Sequence, residues 1–146
     1  MYEAQHKRLE RVQWLLARAA PRDAHDARGW TALYLASFHG YTDIVRALIT
    51  AGAGVDIADN DGETPLYVAS WNGYIDIVTA LIAAGADVNI ASVRGRTPLD
   101  VAIYFGHEDI TNALIEAGAT TGPNADDWSD DDEEEEEGDD DSEEEE

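Results

Sequence analysis

The chain has 146 residues, enough for one compact domain, and its 32 Asp and Glu against nine Lys and Arg leave a formal net charge of −23. It contains no cysteine, which excludes a disulfide framework and a Cys-based zinc site, and its acidity argues against direct nucleic-acid binding, where phosphate contact relies on Lys and Arg. No stretch approaches the ~20 apolar residues of a membrane span, and residues 1–10 mix charges without the apolar core of a signal peptide, so an intracellular protein, cytoplasmic or nuclear, is expected.

A unit of 33 residues then repeats along the chain. Gly29, Gly62 and Gly95 are 33 apart, as are Gly40, Gly73 and Gly106, and again Gly52, Gly85 and Gly118. A fixed period of this length predicts stacked supersecondary units, each too small to bury its own apolar face. Residues 1–25 open the series as a partial unit. Val12, Leu15, Leu16 and Ala20 align with Val45, Leu48, Ile49 and Ala53 one period later, which predicts a capping helix within residues 2–20. Residues 26–58 form the first full unit, with Thr31-Ala32-Leu33 opening its first helix.

Residues 59–91 are the clearest unit. Asn60-Asp61-Gly62 marks a tight turn, Thr64 is placed to cap a helix, and Pro65 suits its first position. Leu66 and Ala69 give that helix an apolar stripe, and Gly73 ends it in the left-handed conformation. Asp76 opens a second helix, where a carboxylate meets the positive end of the dipole. Ile77, Val78, Leu81 and Ile82 form its buried face and Gly85 closes it. Residues 92–120 carry the third unit, opened by Thr97-Pro98-Leu99, with a polar Thr111 in the place of Val45 and Val78, as suits a terminal unit that meets water.

Gly62-Glu63-Thr64-Pro65-Leu66, Gly95-Arg96-Thr97-Pro98-Leu99, the near match Gly29-Trp30-Thr31-Ala32-Leu33 and the ending Gly85-Ala86-Asp87-Val88-Asn89 resemble the ankyrin repeat family over roughly residues 8–120. The resemblance implies an all-α ankyrin-repeat solenoid, a β-turn plus two antiparallel helices per repeat, whose partners dock on the turn tips and the exposed face of the first helices. Where that family usually carries His, this chain has Tyr34, Tyr67 and Asp100, then Tyr41 and Tyr74, with His107 conforming. Scaffold roles are expected for these tyrosines.

The positions the family leaves variable are the candidate contact residues. Phe38, Trp71 and Tyr104 are 33 apart, with neighbours His39, Asn72 and Phe105. The turn tips add Arg28 and Trp30, then Asn60, Asp61 and Glu63, then Arg94 and Arg96. Aromatics and Arg dominate interface hot spots, so the aligned rings suggest a binding ladder; packing between adjacent units is the plainer role for the same rings. Arg94 and Arg96 suit an acidic partner or the nearby Asp61 and Glu63 equally well.

Residues 121–146 are expected to be a disordered acidic tail. Of the 32 acids, 17 lie in residues 126–146 with no basic residue, leaving 15 against nine in a body near −6. So dense a run of like charge repels itself and has nothing to bury. Solubility is its plain role, and capture of a basic partner, such as a ribosomal or histone-like protein, the sharper one. Trp128 is the one apolar group in the run, an anchor for a partner or for the last repeat. Ser129 and Ser142, each with an acid three residues on, resemble acidophilic-kinase sites, and Asn89 closes a stretch that looks like an asparaginyl hydroxylation sequence.

No catalytic constellation or cofactor motif stands out. His6, His25, His39 and His107 are dispersed, and Asp59-Asn60-Asp61-Gly62 fails as a calcium loop because Ile57 and Val68 hold its first and twelfth places. The expectation is a non-enzymatic protein-interaction module, monomeric when free, binding a basic protein through its groove and tail as an escort chaperone or adaptor. Three alternatives stand beside it: a self-masked adaptor whose tail folds onto its own basic residues, a nucleic-acid mimic, and an engineered scaffold.

Overall fold

The computed structural model describes residues 23–126. The expected capping helix within residues 2–20 lies outside the described residues, as do Trp128, Ser129, Ser142 and the acidic run from Asp127 onward. Three helix pairs follow one another: α1 (Ala32–His39) with α2 (Thr42–Thr50), α3 (Pro65–Asn72) with α4 (Ile75–Ala83), and α5 (Pro98–Tyr104) with α6 (Glu108–Glu116). α1, α3 and α5 stack as one layer, and α2, α4 and α6 as a second. Among the described residues the one β feature is an isolated antiparallel bridge between His25 and Thr31, so the architecture is the all-α solenoid expected.

Each first helix starts at the threonine the sequence marks. Thr31, Thr64 and Thr97 accept hydrogen bonds from the amides of Tyr34, Tyr67 and Asp100 at 3.1, 3.1 and 3.3 Å, a cap that typically stabilises a helix by ~1 kcal/mol. α1 and α3 end at Gly40 and Gly73, with φ of 79° and 84°. Those glycines also permit close packing, because a Cβ on Gly40 would stand 2.9 Å from the Tyr74 ring and one on Gly73 2.8 Å from the His107 ring. Each ring therefore lies over the glycine of the preceding unit. His107 also pairs its Nε2 with the Trp71 carbonyl at 3.2 Å.

The core repeats with the period. Leu33, Leu66 and Leu99 of the first helices meet Leu48, Leu81 and Leu114 of the second, none more than 4% exposed. Each such side chain contributes ~1.5–3 kcal/mol on burial, more than any cap. Tyr34 and Tyr67, 3% and 2% exposed, are scaffold residues, and Tyr41 and Tyr74 pack partly buried against the core. Thr111 is half-buried and donates its hydroxyl to the His107 carbonyl at 2.9 Å, which satisfies it within its own helix.

Two further periodic series bind unit to unit. At the tips, the Asn60 amide donates to the Arg28 carbonyl and the Val93 amide to the Asp61 carbonyl, both at 2.9 Å. On the opposite loops, Asp23, Asp56 and Asn89 accept from the amides of Gly54, Asp87 and Thr120, each 31 residues on, at 2.9, 3.0 and 2.8 Å. Asn89 is thus a latch between units as well as a residue of the hydroxylation-like stretch.

Residues 121–126 return over the third tip rather than leaving the fold. The Gly122 amide donates to Asp100 Oδ2 at 2.9 Å, and Asn124 Nδ2 to the Arg94 carbonyl at 2.6 Å. Pro123 and Asn124 lie against Gly95 as Asn60 lies against Gly29 and Val93 against Gly62.

Asp26, at the first tip, carries a pH signature. Asp26 Oδ1 accepts from the amides of Arg28 and Trp30 at 2.9 and 3.0 Å. The Trp30 amide is the main reason its carboxyl is held below the ordinary 3.8, with the Arg28 amide and guanidinium adding to the effect and desolvation opposing it. A depressed carboxyl stabilises the fold above the unfolded-state value and loses that contribution as pH falls through the folded one. Asp26→Asn keeps the acceptor and removes the charge. The wild type should melt above the variant at pH 6, with the gap closing below about pH 4 as the carboxylate protonates. An identical gap at pH 6 and pH 3 would show that the charge contributes nothing.

Candidate binding groove

The tips and the α1–α3–α5 layer present one continuous surface, and the candidate contact residues distribute over it unevenly. On the first unit, Trp30 stacks on Tyr34 with ring centroids 5.4 Å apart and lies 6.2 Å from Phe38, which is 40% exposed and meets His39 edge-on at 5.1 Å. The i, i+4 spacing of residues 30, 34 and 38 puts these rings on one side of the entry to α1 and of α1 itself. The Arg28 guanidinium carbon stands 4.4 Å over the Trp30 ring.

The second unit supplies the acids. Asp59 is 9% exposed. Its Oδ1 accepts from the amides of Asp61 and Glu63, both at 2.9 Å, and its Oδ2 from the Trp30 indole N–H at 3.3 Å. Glu63 Oε1 accepts from the Tyr34 hydroxyl at 3.4 Å. Burial, then the hydrogen bond with Asp59 and the nearby charge of Glu63, pushes the Tyr34 phenol well above its ordinary value of 10. Asn60 and Asn72 are exposed, and each reaches back one unit, Asn60 Nδ2 to the Ala27 carbonyl at 2.8 Å and Asn72 Nδ2 to the Phe38 carbonyl at 3.1 Å.

Further along, Trp71 is half-buried, 6.0 Å from Tyr67 and 5.0 Å from Phe105 of the next unit. Tyr104 and Phe105 are 48% and 42% exposed and meet edge-on at 5.0 Å. Arg94 is half-buried. Arg96 is inside: at 2% exposure it cannot stand at the tip surface where the sequence pattern placed it. Pro123 and Asn124 of the returning segment lie against Gly95 of the same tip.

Asp59 is the groove residue that the sequence reading missed. It fixes both the acidic tip and the indole, and the signal was available, since Asp26, Asp59 and Ser92 open their tips 33 apart. Among the described residues no group of three His, Asp or Glu side chains is arranged to hold a metal ion, and no helix is long and apolar enough to cross a membrane.

Two family models match the chain: ankyrin repeats (3 copies) over residues 1–92, and ankyrin repeats (many copies) over residues 73–115. No curated protein matches it. Capped helix pairs, tips bonded unit to unit and the family match converge, and the chain belongs to the ankyrin repeat family, whose repeats are protein–protein interaction modules.

Proposed function

We propose that this module receives a basic segment of a protein partner along its tips and first helices, and that the acidic run of residues 126–146 draws that partner in and shields it, as an escort would. The observation that carries the reading is the meeting of exposed rings with carboxylates on one face. Phe38 and Tyr104 are 40% and 48% exposed, and Asp61 and Glu63 stand at the central tip beside Trp30. Rings supply the desolvated anchors of an interface, and fixed carboxylates select Lys and Arg over neutral or acidic segments. The 17 acids of residues 126–146 extend a field of the same sign, which raises association rates and is screened over ~8 Å at physiological salt.

The test titrates a labelled 20-residue Lys- and Arg-rich peptide with the whole chain and with a chain ending at Ala125. At low salt the whole chain should bind about tenfold tighter, with the gap narrowing as salt shortens the Debye length. Equal affinities would remove the acidic run from the function. Failure of both chains to bind would end the basic-partner reading.

A further inference from the structure

Between the first and second tips lies a cavity of about 430 Å³, lined by Trp30, Tyr34 and Phe38 from the first unit and by Asp59, Asp61 and Glu63 from the second. Aromatic faces and carboxylates share one electrostatic preference, since ring quadrupoles place negative potential over the face. The cavity therefore favours a cation, and one already sits on its aromatic surface: the guanidinium of Arg28, 4.4 Å from the Trp30 centroid. That cation comes from an exposed tip residue. Its backbone is fixed by the bonds of its amide to Asp26 and of its carbonyl to Asn60, which leave the side chain free to swing without moving the tip.

The other residues divide by role. Asp59 is a positioning residue, because its oxygens already accept from Asp61, Glu63 and the Trp30 indole, and the last of these bonds fixes the plane of the ring. Asp61 is exposed at the mouth, and Glu63 is half-buried beside Tyr34.

We propose that this cavity is a subsite for one arginine side chain of the basic partner, whose guanidinium takes over the Trp30 face from Arg28 and meets the exposed carboxylate of Asp61. The proposal rests on the basic-partner reading and narrows it to one pocket. Arginine fits better than lysine because a planar guanidinium stacks on the indole while its edge donates in parallel to a carboxylate, whereas an ammonium is a hydrated point charge. Arg28 then acts as an internal competitor, and the apparent affinity for the incoming arginine is reduced by the fraction of time Arg28 holds the ring.

The experiment follows the Trp30 indole N–H in ¹⁵N-labelled full-length protein, its signal assigned with Trp30→Phe. The probe is acetyl-Gly-Ser-Arg-Ser-Gly-amide, and the control is the same peptide with neutral citrulline for arginine. The arginine peptide should move the Trp30 signal saturably and leave the Trp71 indole in place, while the citrulline peptide should move neither. Arg28→Gln should tighten the arginine peptide about 3–10-fold, the gain expected if Arg28 holds the ring for most of the time. A stationary Trp30 signal, an equal response to citrulline, or weaker binding by Arg28→Gln would overturn the subsite. If the polybasic peptide binds and Trp30 stays still, the subsite fails and the basic-partner reading stands. If the polybasic peptide fails and the single-arginine peptide shifts Trp30, the subsite stands and that reading fails.

Discussion

Gly62→Ala should destabilise the protein by about 2–4 kcal/mol, clearly more than Gly85→Ala, at about 1–2 kcal/mol. Both glycines have positive φ, 76° and 92°, so both substitutions carry the cost an L-residue meets in the left-handed region. They differ in what the new methyl group would touch. At Gly62 it would stand 3.0 Å from the Val93 amide nitrogen and 3.3 Å from the Ser92 Cα, whereas at Gly85 nothing lies within 4 Å. The obstacle at Gly62 is backbone that cannot swing aside. Val93 is held by its bond to the Asp61 carbonyl at 2.9 Å, and Ser92 by its bond to the Arg96 carbonyl at 2.8 Å. The methyl group therefore wedges the second tip from the third. Urea denaturation of the two variants measures the comparison, and equal losses would mean that the tips are not closely docked.

Asp100→Ala should cost about 2–4 kcal/mol and release the segment after residue 120. Asp100 is 3% exposed and closes a capping box, accepting from the Thr97 amide at 2.8 Å while Thr97 accepts from its own amide. The same carboxylate accepts from the Gly122 amide at 2.9 Å. Alanine would strand two buried or half-buried donors, and hydrogen bonds to a charged acceptor are the stronger kind. Asp100→Asn retains an acceptor and should recover about half of the loss. Hydrogen exchange supplies the second readout, because the Gly122 amide should lose its protection in Asp100→Ala. Protection that persists would show that Asp100 only caps its helix and does not tether the returning chain.

Asp100 also marks the limit of what the period reveals. The glycine series, the threonine caps and the leucine pairs were legible because each follows from a residue type that one local geometry demands. Burial of Tyr34 and Tyr67 followed from their register. Arg96 did not: it is 2% exposed, although Trp30 and Glu63 at the equivalent tip positions are only half-buried. Asn60 reaches an acceptor 33 residues back, whereas Asn124 reaches one 30 residues back, so the last pseudo-tip is out of phase and carries no Gly-x-Thr-Pro-Leu. The aromatic ladder was legible as a spacing and not as a surface. Phe38 and Tyr104 are open, while Trp71 lies half-buried against a ring of the following unit. The pocket at the first tip needed Asp59: its place in the series Asp26, Asp59 and Ser92 was legible, whereas its bond to the Trp30 indole 29 residues away was not.

The rings over Gly40 and Gly73 give the stack a direction in time. Tyr74 and His107 each arrive with the unit that follows, so a unit leaving the ribosome lacks its cover until roughly one more period has been synthesised. At these two glycines the earlier unit is covered only once its successor is present. Gly106 has no such cover: among the described residues nothing lies within 4 Å of its Cβ position, and Ile103 and Ile115 of the same unit remain more than half exposed.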